Sequence, residues 1–218
     1  MDNPTSNTTQ TKTTLRRYAR VAAFVVVALT ISLAFWYGIG FFFAKEQVEA
    51  PTVTVETEGA VMEEALPVRL VIPSINLEAP FSEPLGLEAS GEVEVPDDYE
   101  SVGYYKNGPT PGEIGPAVVL GHVDSYTGPA VFFSLGQLKE GDEIKIERED
   151  GTVAVFAVTA LERHEQSGFP TVKVYSDLNY AGLRLITCTG SYDRSELRYT
   201  HNLIVFGKLI ATSTVSGE

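Results

Sequence analysis

With 218 residues, 44% of them hydrophobic and 21% charged, the chain has a globular composition with room for one sizeable domain plus appendages. A formal net charge of -13 excludes a nucleic-acid-binding surface, which needs clustered Lys and Arg. A single cysteine excludes an intrachain disulfide, so stability cannot depend on one and cysteine usage does not report the redox compartment.

Residues 1–20 open with Thr, Asn, Gln and Ser in no apolar pattern, which reads as a disordered cytoplasmic tail ending in Arg16, Arg17 and Arg20. The uncharged apolar run 21–44 follows, long enough to cross a bilayer, which takes about 20 apolar residues. Trp36, Tyr37 and Phe41 to Phe43 lie toward its far end, where aromatic rings favour the membrane interface. Arginines before the run and Glu46, Glu49, Glu56 and Glu58 after it orient the span with its N-terminus inside, so everything beyond Ala44 is expected outside the cell membrane. The competing reading, a cleaved signal peptide, has the wrong length, and no Ala-x-Ala-like cleavage spacing is evident near the end of the run. Residues 45–66, rich in Glu with Val, Thr and Ala, show no clear periodicity and read as an acidic stalk.

From Pro67 the texture changes to short alternating runs punctuated by Gly, Pro, Asn and Asp. Strands are predicted over 68–72, 75–81, 117–120, 143–147, 152–161, 183–188 and 203–210, with few helical signals. The Gly141-Asp142 and Asp150-Gly151 pairs bracket one hairpin arm. Residues 67–212 are therefore expected to form one all-β domain, barrel or sandwich, with 213–218 as a C-terminal tail.

The run 183–191 carries the only cysteine, Cys188, to the point where Gly190 and Ser191 signal a strand end. Free cysteines are often simply buried, but a thiol at a strand end is both rigidly held and reachable. A nucleophilic cysteine needs a base nearby, and the chain has three histidines. His122 follows the apolar run 117–120 and Gly121, so it too sits where a buried strand ends. His164 lies in a polar stretch and reads as a solvated loop residue; His201 precedes the last strand. His122 fits best as the partner of Cys188, although a histidine capping a turn would read the same way.

The segment 120–125 (Leu-Gly-His-Val-Asp-Ser), followed by 128–133 and Gly141-Asp142, resembles the histidine segment of the sortases, especially their class F branch. Leu185-Ile186-Thr187-Cys188 resembles the family's nucleophile strand, with Leu185 and Ile186 replacing its usual residues. Val71 to Ile75 and Ala79-Pro80 resemble its opening strands, Pro111-Gly112 through Gly115 the turn before its histidine strand, and Phe169-Pro170 one of its loops. The likeness spans about 67–210 with the motifs in family order.

The resemblance implies a closed, mostly antiparallel sortase-type β-barrel with short helices on a single N-terminal transmembrane helix. It also implies a cysteine transpeptidase that cleaves a Leu-Pro-x-Thr-Gly-like C-terminal sorting signal. The acyl group then passes to an amine such as a cell-wall precursor or a pilin lysine. Cys188 would form the thioacyl enzyme and His122 would move the protons. Thr187 and backbone amides near Cys188 would help hold the oxyanion, and Asp124 would orient His122 or stabilise its turn. One departure stands out. The family carries an arginine near the start of the strand after the cysteine, where it stabilises developing negative charge and positions substrate, and here Thr200 falls at that place. Arg198, two residues earlier on the same strand face, is the substitute, with Arg184 and Arg194 as rivals.

Two other classes fit parts of the pattern: a hydrolytic cysteine protease, and a metal-binding or adhesive ectodomain using His122, Asp124, Cys188 and His201. The latter lacks a close-spaced ligand pair. No cofactor is implied, and calcium dependence is left open because the acidic loop residues follow no EF-hand pattern.

Overall fold

A computed structural model of the chain describes residues 61–214. The expected cytoplasmic tail, the expected membrane span, most of the expected stalk and the last four residues lie outside them. Among the described residues no helix is long and apolar enough to cross a membrane.

Among the described residues ten strands form: β1 (Pro67–Ile72), β2 (Leu77–Pro80), β3 (Gly103–Tyr104), β4 (Gly115–Leu120), β5 (Asp124–Ser125), β6 (Gly128–Pro129), β7 (Glu143–Arg148), β8 (Thr152–Glu165), β9 (Ala181–Asp193) and β10 (Arg198–Thr214). One short helix, α1 (Thr171–Tyr175), and three single 3-10 turns complete the described elements. Eight strands make a single sheet in the order β2-β1-β7-β8-β10-β9-β4-β3, and β5 pairs with β6 as a small separate hairpin. Every pairing in the large sheet is antiparallel except β4 with β9.

The sheet curls around a core of Leu70, Ile72, Ile146, Phe156, Leu185 and Val205, plugged from the 130–138 segment by Phe132 and Leu135. On its other face Val118, Leu120, Ile186, Ile204 and Phe206 pack with Leu85 and with Val174 of α1. Because β4 and the first half of β9 are covered on both faces, neither shows polar alternation; every residue of β4 is buried, as parallel strands usually are.

The structure corrects the closed barrel. The edge strands β2 and β3 form no ladder with each other, and only the isolated bridges Phe81–Val102 and Leu85–Tyr105 link the segments beside them. Two strand ends are corrected as well. Residues 73–75 turn as a 3-10 segment because Pro73 lacks an amide hydrogen for the ladder, so β2 starts at Leu77 rather than Ile75. Strand β9 does not stop at Gly190. Tyr199 pairs with Tyr192 but His201 pairs with Thr189, so β9 carries one residue more than β10 between those pairs. Gly190, at φ 86°, absorbs it as a bulge and the hairpin continues to Asp193.

Candidate active site

Strand register brings the sequence candidates into one row. Leu120 pairs with Ile186 in the parallel β4–β9 ladder, and Gly121 N donates to Ile186 O at 3.2 Å. His122 follows two residues beyond Leu120 and Cys188 two residues beyond Ile186, so both leave the same end of this ladder. On its other side Cys188 pairs with Asn202, and Asn202 pairs with His164. Cys188, Asn202 and His164 thus succeed one another across β9, β10 and β8, with His122 in the loop that leaves the end of β4. By strand alternation they share the face of Leu120, Ile186 and Ile204.

The loop after β4 is tied back at its root. Phe132 N donates to His122 O at 2.9 Å and Ala130 N to Val123 O at 3.2 Å, with the Phe132 side chain fully buried beneath. Gly121 has no room for a side chain: a Cβ there would lie 2.7 Å from Phe132 Cδ2 and 2.9 Å from Val131 Cγ1. That close approach is the reason a glycine precedes the histidine.

His122 Nε2 lies 2.8 Å from Pro96 O. A carbonyl oxygen only accepts, so Nε2 carries the hydrogen and the neutral ring leaves Nδ1 as its acceptor. The ring leans on Tyr99, with centroids 4.8 Å apart. Cys188 is half-buried, and Gln166 Nε2 lies 4.0 Å from its Sγ. Burial pushes the thiol above its ordinary range, and the Asp124 carboxylate adds to the effect. Asp124 Oδ2 in turn accepts a hydrogen bond from Tyr199, whose phenol is pushed up to about 12, chiefly by that bond. Both effects favour the protonated thiol over the thiolate.

The remaining candidates divide by face and position. Thr187 is buried on the opposite face from Cys188, and its hydroxyl has no partner among the described residues. Its side chain points into the core, away from the Cys188 face. Asp124 is engaged by Tyr199 at the β5–β6 hairpin. Arg198 does lie on the Cys188 face of β10, but near the hairpin tip, 59% exposed and 3.8 Å from Glu196. Arg194 is exposed in the turn between β9 and β10. Arg184 is buried, its guanidinium stacked 4.7 Å over Phe206 and Nη1 donating to Leu183 O at 2.9 Å. Thr200 Oγ1 contacts His201 Nδ1 at 2.7 Å and accepts from Ser191 N at 3.2 Å, holding the bulge together.

His164 corrects its sequence reading. It stands on β8, partly buried, with Nε2 2.9 Å from Glu162 Oε2 rather than free in a loop. Asn202 and Gln166 were not singled out in the sequence at all, although alternation along 198–204 already places Asn202 on one face with Arg198 and Thr200. A cavity of about 510 Å³ opens beside the row, lined by Glu165, Gln166, Ser191, Arg198, Thr200 and His201. Among the described residues no cluster of His, Cys, Asp and Glu is arranged to hold a metal ion.

Comparison with known proteins adds the following. The family model for the sortase domain matches residues 70–210. A search of curated proteins found no match. Among solved structures, Streptococcus agalactiae sortase C1 in complex with MTSET is similar, at 24% identity and TM-score 0.51, covering 65% of this chain and 66% of that one. Sortase C-1 of Actinomyces oris matches at 24% identity and TM-score 0.50, covering 66% and 74%. Listeria monocytogenes sortase A matches at 16% identity and TM-score 0.53, covering 70% and 92%. These neighbours carry the likeness of fold. They are sortases A and C, and the class F likeness drawn from the sequence has no counterpart among the three.

Proposed function

The chain belongs to the sortase family, whose members are cysteine transpeptidases, and from that premise we propose that Cys188 and His122 form its nucleophile and proton-transfer pair. The observation that carries the reading is the β4–β9 register: Leu120, two residues before the histidine of the matching motif, pairs with Ile186, two residues before the only cysteine of the chain. Cys188 Sγ attacks the carbonyl carbon of the scissile amide, and the tetrahedral adduct collapses to a thioacyl enzyme as the amine departs with a proton from His122. An incoming amine reverses the sequence and takes the acyl group. His122 fits that traffic because one ring nitrogen is committed to Pro96 O while the other is left to exchange the proton.

The substrate class that fits is a protein with a Leu-Pro-x-Thr-Gly-like C-terminal signal, and the acceptor is a primary amine of a cell-wall precursor or a pilin lysine. Arg198, in the cavity beside the row, is the cation that engages the incoming substrate. The arginine-flanked apolar run 21–44 supports a single-pass anchor with the catalytic domain outside the cell. The class F assignment rests on the motif string 120–133.

The test is to incubate the domain with a Leu-Pro-Ala-Thr-Gly peptide and a primary amine and to identify products by mass spectrometry. The expected product is the peptide joined to the amine through its threonine, absent in Cys188→Ala and nearly absent in His122→Ala. Turnover persisting in Cys188→Ala would refute the assignment, and a free-acid product in the presence of saturating amine would make the protein a hydrolase instead.

A further inference from the structure

We propose that the side-chain amide of Asn202 is the hydrogen-bond donor that stabilises the oxyanion formed at Cys188; this rests on Cys188 being the nucleophile. The two residues are direct cross-strand partners, so their side chains leave the sheet on the same face with Cβ atoms about 4.5–5.5 Å apart. An amide at that distance reaches an oxygen one bond away from the sulfur's new partner carbon.

Three further observations favour it. First, no hydrogen bond to another described residue occupies the Asn202 carboxamide, so its N–H groups are unspent in the resting site. Second, the residue is half-buried on a strand held by ladders on both sides, a rigid mount for a donor that must be in place before charge develops. Third, the arginines considered for this task lie elsewhere along the strands. Arg198 is four residues away toward the hairpin tip and Arg184 four residues back along β9, each roughly 13 Å from the Cys188 row at about 3.3 Å per residue. Arg198 is also exposed beside Glu196, and Arg184 is packed under cover on Phe206. Gln166 touches the sulfur from a turn and is the one rival carboxamide.

The chemistry is the ordinary addition step. The C–S bond forms as the carbonyl π pair moves onto oxygen, the Cys188 proton passes to His122, and collapse re-forms the carbonyl and expels the leaving group. Asn202 Nδ2 donates to the oxygen during its anionic interval only, so its loss should slow acylation and leave reactions at sulfur that make no oxyanion untouched.

Two probes separate these cases without any sorting signal: p-nitrophenyl acetate, which acylates a thiol through an oxyanion, and iodoacetamide, which alkylates it without one. In Asn202→Ala, acylation of Cys188 by the ester is expected to fall roughly tenfold or more, while alkylation keeps the wild-type rate. The loss with an amide substrate is expected to be larger, about 100- to 1,000-fold in turnover with little change in KM. Asn202→Arg should restore much of the acylation rate.

Equal loss with both probes would mean a structural role and overturn the proposal. So would unchanged acylation in Asn202→Ala, loss in Gln166→Ala instead, or a wild-type Cys188 that is alkylated but not acylated. The sorting-signal reading fails separately: wild-type enzyme that ignores the Leu-Pro-Ala-Thr-Gly peptide while the ester and iodoacetamide behave as expected sinks the substrate assignment and leaves Asn202 in place.

Discussion

Asp124 bears on two acids at once. Its carboxylate holds the Tyr199 phenol in its protonated form by accepting its hydrogen bond, and it adds to the burial that keeps the Cys188 thiol protonated. Both are acids whose charged form is disfavoured, so the folded site retains protons to higher pH than the free groups would. The thiolate fraction, and with it the rate of alkylation by iodoacetamide, should rise with pH along a curve whose midpoint lies above the ordinary thiol range. Asp124→Asn removes the negative charge and keeps an oxygen for Tyr199, so the midpoint should move down and alkylation at neutral pH should quicken. A midpoint that stays put would show that burial alone sets the thiol. The sequence located this residue by its nearness to His122 and could not reveal that Tyr199, from the far arm of the β9–β10 hairpin, is its partner.

At the scale of elements, the site depends on how β4 ends. Gly121 leaves the ladder with its backbone pressed on Phe132 and Val131, and the chain turns at once into the loop that carries His122. Gly121→Ala must push the Phe132 ring or the strand end aside, and overpacking of a filled core costs typically about 1–3 kcal/mol. The expected result is a lower urea midpoint together with a drop in turnover larger than the stability loss explains, because the displaced strand end carries His122. An unchanged midpoint would mean that the core gives way freely. Strands β1, β4, β7 and the starts of β8 and β9 are legible as apolar runs bounded by turn residues; Cys188, which reads as a strand end, lies inside β9, and His122 lies just past β4. What local pattern could not supply was continuation: β8 runs on to Glu165 and β9 to Asp193 because each pairs with the long β10, and ladder partners outweigh the polar residues that read as loop. The polar stretch around His164 reads as loop in the sequence for that reason.

At the scale of the molecule, the segment just before β1 is packed onto the domain. Met62 N donates to Gly112 O at 3.0 Å and Ala65 N to Thr110 Oγ1 at 3.2 Å. Arg148, almost wholly buried, donates to Glu63 O and, at 3.1 Å, to Thr152 Oγ1. Charge and composition marked this stretch as stalk; the contacts that tie it down come from residues 45 to 85 positions away, which no reading of local pattern reaches. Arg148→Ala should free it and lower stability by about 1–3 kcal/mol, the usual cost of unmaking buried hydrogen bonds, seen as a reduced denaturation midpoint. Because Arg148 lies on β7, away from the row of Cys188, thiol alkylation in the folded variant should match the wild type.

The parallel ladder of β4 with β9 also orders events in time. Its partners stand 66 residues apart, Leu120 with Ile186, while β7, β8 and the β9–β10 hairpin can form from near neighbours. Contacts of such long sequence separation form against a large loop-closure entropy and tend to come late. The strand end that leads into His122 is set beside the strand of Cys188 through that pairing. On refolding from denaturant, recovery of the thiol's native reactivity should therefore trail the return of strand signal, making the chemistry of Cys188 a clock for the last step of assembly.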